Sequence, residues 1–255
     1  MLADQRRQII LEELQRNNSV VIVDLAEKLA VTPMTIRRDL VLLEKQGIVE
    51  KTHGGAVLSE SSIRERTYLK RKEVRTPEKQ RIAKAAVRLV EQGMCICLDA
   101  GTTNYELALL LIERKFSELT VITNDLLIAY SLGQNSNYQV LLLGGMLENA
   151  NGLTCGYFAK EMMKNMRVDI CFVGTQAVSE ELMVMTANID KVELKQYYLT
   201  NARIKVLLAD GSKFAKNKLH KICVLSEFDH VITDNVFSAE QSAYLLDNNV
   251  RLTQV

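Results

Sequence analysis

The spacing of apolar residues changes character along the chain. In "RRQIILEELQRN" Ile9, Ile10 and Leu14 recur at helical intervals, and "VDLAEKLAV" repeats the pattern over a shorter span with Val23, Leu25, Ala26, Leu29 and Ala30. A third helix opens at "TPMTIRRDL", where Thr32 can cap and Pro33 gives up only a backbone donor that has no partner in a first turn. At about 100° per residue Ile36, Leu40 and Leu43 share one face of it. Met34, Arg38, Val41 and Lys45 then point away from that face. Arg37 falls on a flank beside Val41 and Glu44, and Thr35 and Asp39 take the other flank. Gly47 stops the helix, and the period drops to two. Ile48, Glu50 and Thr52 alternate with Val49, Lys51 and His53, and Gly54-Gly55 returns the chain through Ala56, Val57 and Leu58. Three helices and a hairpin predict a winged helix-turn-helix over residues 1–58.

Residues 59–76, "SESSIRERTYLKRKEVRT", break the apolar pattern with dense mixed charge and are expected to form a linker. Thr76 and Pro77 repeat the capping grammar of Thr32 and Pro33. The stripe Ile82, Ala85, Ala86, Leu89 and Val90 then predicts a helix ending at Gly93. From there short apolar runs alternate with helical segments: "MCICLD", "LTVITN", "YQVLLLGG", "VDICFVG", "RIKVLLAD", "HVITD" and "VRLTQV". Val140 to Leu143 and Val206 to Ala209 are apolar at consecutive positions, as parallel strands covered on both faces require. Residues 77–255 are therefore expected to form an α/β domain.

Composition sharpens this only a little. A chain of 255 residues with 47% hydrophobic content can bury more than one core. The net charge is +1, divided as +3 over residues 1–75 and −2 over the rest. That asymmetry suits a front half that meets a polyanion but does not establish one. The five cysteines have neither disulfide nor zinc-ligand spacing and are expected to be buried thiols. No leader and no membrane-length apolar stretch is seen, so the expected location is cytoplasmic, with no membrane partner and no cofactor or metal.

A winged unit sets its second motif helix into the major groove of double-stranded DNA, where arginine can pair bidentately with guanine. Met34, Thr35 and Arg38 are the candidates for base edges, beside the capping Thr32. Arg37, Lys51 and His53 are placed for phosphates, although His53 can equally hydrogen-bond across the wing turn. In the α/β half, ligands collect beyond the carboxyl ends of strands. There stand Asp99 with Gly101-Thr102-Thr103, Thr123-Asn124, Gly144-Gly145, Gly174, and Asp210 with Lys213. A "GTT" turn at a helix N-terminus offers amides, hydroxyls and the positive end of a dipole, which suit a phosphate, although capping alone asks for the same residues. Asp and Asn would take sugar hydroxyls, while Lys213 or Lys195 would balance phosphate charge.

The segment "LAEKLAVTPMTIRRDLVLLEKQGIVEKTHGGAV", with "DAGTT", "TVITN", "LLLGG", "LLADGSKF" and "VITD" behind it, resembles the DeoR-type repressors of sugar catabolism over nearly the whole chain. The resemblance implies a sensor domain folded like ribose-5-phosphate isomerase and glucosamine-6-phosphate deaminase, with a phosphorylated sugar as effector. It further implies a pocket formed by Asp99, Gly101, Thr102, Thr103, Asn124, Gly145, Lys195, Asp210 and Lys213. One element departs from the family: between Gly174 and Asp190 a glycine-containing "GLT"-like stretch is usual, and "TQAVSEELMVMTANID" has no glycine. The leading expectation is a repressor released from its operator by a sugar phosphate and acting as a homo-oligomer through the back domain. The alternatives are a sugar-phosphate isomerase or deaminase, which needs a positioned general base, and a sugar-phosphate-responsive activator. Neither a strand-end pair of carboxylates nor a nearby histidine is expected beside the "GTT" turn.

Overall fold

The computed structural model describes residues 2–17, 19–45, 47–59, 67–134, 137–148 and 151–255. The chain forms two compact units, one of residues 1–65 with 216–219 and one of 66–215 with 220–255.

In the first unit the order is α1 (Ala3–Asn17), β1 (Ser19–Val21), α2 (Ile22–Lys28), α3 (Pro33–Lys45), β2 (Val49–Lys51) and β3 (Gly55–Leu58). Ile10, Leu14, Leu25, Ala26, Ile36, Leu40 and Leu43 make its core, and Val23, expected on the inner face of α2, is exposed. The Thr32 hydroxyl accepts the Thr35 amide at 3.3 Å, so the expected cap forms. The periodicity does not foresee β1, which pairs antiparallel with β3 and puts β3 in the middle of a three-stranded sheet. This explains Gly55: a Cβ there would lie 1.8 Å from the Val20 carbonyl oxygen.

The second unit opens with a short helix inside the charged stretch expected to be a linker. It is α4 (Tyr68–Glu73), followed by α5 (Thr76–Ala86). Residues 60–66 of that stretch lie outside the described residues. Thr76 does not cap α5 as expected; the N-cap is Arg75 in a left-handed conformation (φ 56°), and the Thr76 hydroxyl donates to the Lys72 carbonyl at 2.9 Å.

Each of the seven expected apolar runs is a strand of one parallel sheet: β4 (Cys95–Leu98), β5 (Leu119–Thr123), β6 (Tyr138–Leu142), β9 (Val168–Gly174), β12 (Ala202–Leu208), β14 (His230–Thr233) and β15 (Arg251–Gln254). The order β15-β14-β12-β9-β4-β5-β6 places β4, first in the chain, inside the sheet; the chain winds outward through β5 and β6 and then returns to β9. Alternate residues feed opposite cores. Ile96, Leu98, Ile170, Phe172, Val206 and Leu208 pack with α5, α6 (Thr102–Arg114) and α7 (Leu126–Gly133). Cys97, Cys171, Val173 and Leu207 pack with α8 (Tyr157–Lys164), α9 (Asp190–Asn201) and α10 (Ala239–Asp247). At the β6 edge the double coverage fails, and Leu142 is exposed. Short strands β7 (Met146–Glu148) with β8 (Leu153–Cys155), and β10 (Ala177–Val178) with β11 (Met183–Thr186) and β13 (His220–Val224), form two small sheets that the sequence patterns do not reveal. In the glycine-free element after Gly174, Leu182 takes the left-handed turn position itself (φ 60°).

The cost of a side chain at Gly55 gives a test. Gly55→Ala is expected to destabilise the winged unit by at least the roughly 1–3 kcal/mol of an overpacked site, whereas Gly54→Ala, which meets open space, should melt like the parent. Thermal unfolding followed by circular dichroism distinguishes them; equal melting of the two variants would refute the assignment of β1 beside β3.

Candidate functional site

On α3 the buried face is Ile36, Leu40 and Leu43, as expected, and Asp39 is buried with them. The Asp39 carboxylate accepts Arg6 Nε at 2.5 Å and Nη2 at 3.2 Å, tying α1 to the outer flank of α3. Periodicity puts Asp39 on an exposed flank; the arginine 33 positions earlier moves it inside. Thr32, Met34, Arg37 and Arg38 are exposed and Thr35 is half-buried. Among the described residues neither Arg37 nor Arg38 has a carboxylate partner. Lys51 is exposed but paired with Glu44 at 2.8 Å, and His53 is exposed on the wing turn.

In the second unit the topology reverses between β4 and β9, the point beyond whose carboxyl ends ligands of open α/β sheets collect. Asp99, Gly174 and Lys195 meet there. Asp99 Oδ2 accepts the Gly174 amide at 2.9 Å and the Lys195 ammonium, which also donates to the Gly174 carbonyl at 2.8 Å. Both side chains are buried, so their charges cancel locally. Asn124 is likewise engaged at both ends: its Oδ1 accepts the Ala100 amide and its Nδ2 donates to the Thr154 carbonyl, each at 3.0 Å. Gly145 has a structural reason, because a Cβ would lie 2.4 Å from the Cys155 carbonyl oxygen. Gly101 has none of this kind: its backbone is extended, and a Cβ there would meet nothing within 4 Å.

The turn amides are not all unpaired, as the sequence pattern suggested. Asp125, which caps α7 through the Leu127 and Ile128 amides at 2.9 and 3.1 Å, also accepts the Gly101 amide at 3.2 Å. Burial pushes its carboxyl up to about 6, against the pull of those three donors. Asp125 is absent from the expected set, although an aspartate directly before a helical run is a readable cap. Thr102 is buried and Thr103 half-buried in the first turn of α6.

Asp210 and Lys213 stand at the end of β12, two strands from β4, so they lie roughly 10 Å from the "GTT" turn at ordinary strand spacing. Asp210 caps the turn of residues 211–213 through the Ser212 amide at 3.0 Å. Its neighbour at the end of β14 is Asp234, which accepts the Gly211 amide at 2.6 Å. Against expectation, two strand-end carboxylates, Asp99 and Asp125, stand beside the "GTT" turn; Asp210 and Asp234 form a second pair away from it. Separation in sequence concealed both. Among the described residues no cluster of metal-ligating side chains occurs, the cysteines are free, and no helix is long and apolar enough to cross a membrane.

Residues 6–62 match the DeoR-like helix-turn-helix domain and residues 74–235 the DeoR C terminal sensor domain. The chain belongs to the DeoR family of transcriptional regulators. It is 35% identical to the lactose phosphotransferase system repressor of Lactococcus lactis subsp. lactis, over 92% of each chain. It is 29% identical to the glycerol-3-phosphate regulon repressor of Escherichia coli (strain K12), over 99% of each. Among solved structures, ribose 5-phosphate isomerase A of Methanocaldococcus jannaschii aligns with 54% of either chain at 23% identity and a TM-score of 0.39. The α/β architecture rests on the strand pairing above and not on that distant likeness.

Asp125 generates a pH prediction. Its folded carboxyl titrates near 6, against an unfolded value near 3.8. The folded state therefore holds more proton between these values, and this group's contribution to stability falls as pH rises through 6. Relative to Asp125→Asn, wild-type stability should drop by up to about 3 kcal/mol between pH 4 and pH 7. Parallel denaturation curves across that range would show that the carboxyl is not desolvated.

Proposed function

We propose that the protein is a transcriptional repressor of a sugar or polyol catabolic operon, bound to operator DNA through α3 and released by a phosphorylated sugar intermediate. The observation that carries the reading is the division of α3: one face is buried, while Arg38 opposite it and Arg37 on the flank are exposed, neither with a carboxylate partner among the described residues. Arg38, farthest from the core, reads a base edge with Met34 and Thr35 beside it, and Arg37 grips phosphate. Lys51 and His53 add wing contacts, Lys51 only after parting from Glu44.

At the sensor's strand ends, the effector's phosphate is received by the first turn of α6 with the Thr102 and Thr103 hydroxyls. Gly101 supports this, because nothing in the fold demands a glycine there, while close approach of a ligand does. The sugar extends across the strand ends toward Asp210 and Lys213. Names of relatives agree in kind, one referring to a phosphotransferase system and one to glycerol 3-phosphate. On this reading the chain comprises a DNA-binding domain (1–58), a connector (59–76) and a sensor domain (77–255), and it acts in the cytoplasm as a homo-oligomer spanning two half-sites.

Arg38→Ala should lose about 1–3 kcal/mol of specific operator affinity and keep its response to sugar phosphates. Arg37→Ala should weaken all DNA sequences alike and reduce the salt slope by about one. A change of base preference in Arg37→Ala would reverse the two assignments. Thr103→Ala and Lys213→Ala are expected to bind operator normally and resist release, in a titration of sugar phosphates against labelled operator. Release at the wild-type concentration in both variants would remove the effector from these strand ends; tightening of wild-type binding by the ligand would make the protein a co-repressed or activating regulator.

A further inference from the structure

The segment Thr67–Thr76 lies across the same strand ends, held by the buried Tyr68 at its start and by charged contacts along the rest. Tyr68 meets Tyr105 edge-on with ring centroids 6.4 Å apart, and the Lys72 ammonium sits 4.6 Å from the centre of the Tyr105 ring. Arg71 donates to the Asn151 side chain at 2.9 Å. From beneath, the buried Lys79 ammonium donates to the carbonyls of Arg71 and Val74, the end of α4 that favours a cation.

Arg75 closes the segment. Its guanidinium pairs with Asp234, stands 3.2 Å from Asp210 and 3.4 Å from Glu78, and its backbone is in the left-handed region. For an arginine that conformation carries a cost of roughly 1 kcal/mol or more, which the ion pairs offset. The hold on Asp210 is incomplete: Arg75 Nε is buried, near that carboxylate, yet makes no hydrogen bond. The Tyr68 hydroxyl is also buried without a partner, with Asp125 and Arg71 among the charges around it. Two unused donors thus belong to one short segment over the pocket.

The carboxylates, in contrast, do not depend on Arg75. Asp210 keeps the Ser212 amide and Asp234 the Gly211 amide whether or not the guanidinium is present. An anion can therefore take Arg75 without stranding either carboxylate unsatisfied. We propose that Arg75 is an effector-binding residue that an anionic ligand draws away from Asp210 and Asp234, so that filling the pocket loosens Thr67–Thr76, the segment that joins the sensor half to the wing in sequence. This rests on the effector reading above and adds to it the cation and the element that the ligand moves. Guanidinium suits the exchange because its planar fork accepts carboxylate and phosphate in the same bidentate geometry.

The test uses the full chain, inorganic phosphate as the probe and potassium chloride at matched ionic strength as the control, with hydrogen exchange read over residues 67–76. In wild type, phosphate should speed exchange in this segment and chloride should not. Arg75→Gln should exchange fast from the start and respond no further to phosphate. Asp234→Asn, which removes a competitor for the guanidinium, should respond at a phosphate concentration lower by about fivefold or more, the lower end of ordinary coupling between sites. A purely structural clasp predicts that both substitutions loosen the segment while Asp234→Asn leaves the phosphate dependence where it was; that outcome, or a wild-type segment indifferent to phosphate, overturns the proposal. If phosphate loosens the segment but no sugar phosphate alters operator binding, Arg75 keeps its role and the operator-release reading fails instead.

Discussion

The sensor unit is organised around a buried ion pair. Strands β4 and β9 are neighbours whose connections leave in opposite directions, and the gap between their ends is spanned by Asp99, Gly174 and the Lys195 ammonium reaching in from α9. Taking both charges out of water costs several kcal/mol per ion, and the arrangement is tolerable only because each group has further partners. Asp99 accepts a backbone amide as well as the ammonium, and Lys195 donates to the carbonyl of the same glycine. The pair therefore fixes α9 against the sheet at the strand ends. It also spends the Lys195 charge inside the unit, so that the effector proposed above would draw on the α6 N-terminus, Lys213 or Arg75 instead.

What the sequence discloses and what it hides divide along physical lines. The inner strands of the large sheet are legible because they are buried on two faces and read as near-continuous apolar runs, whereas the edge strands β6 and β15 are exposed or half-buried along most of their length; α3 is legible because its cap, its stripe and its stop agree. Strands β7, β8, β10 and β11 have two to four residues each, too few for a period, and β1 is lost in the approach to α2. The larger omissions are polar pairs distant in the chain. Arg6 with Asp39, Arg71 with Asn151 and Arg75 with Asp234 span 33, 80 and 159 positions. Periodicity predicts which face is buried, but it cannot predict that a polar flank residue will be taken inside by a distant partner.

Asp39 shows what such a pair does for packing. It stands one and two positions from Arg38 and Arg37, spacings that do not face each other on a helix, so it is not placed to neutralise either. Its pairing with Arg6 spends the charge inside the unit, where it ties α3 to α1.

A net charge of +1 is small for a chain that must grip a polyanion, and the local pairing explains how so little suffices. Nonspecific attraction scales with the number of phosphates neutralised, so it is set by the cations that are unpaired at the contact surface and not by the sum over the chain. Lys51 is held by Glu44 and Arg6 by Asp39, whereas Arg37, Arg38 and Lys45 of α3 have no carboxylate partner among the described residues. In the sensor, Arg75 is matched by carboxylates in the same way. The two ends then differ: α3 has arginines with no internal partner to give up, whereas on the effector reading proposed above an anion at Arg75 must displace a carboxylate, and its affinity is the difference between the two contacts. A modest difference of that kind is easily tipped, which is what a switch between two states requires.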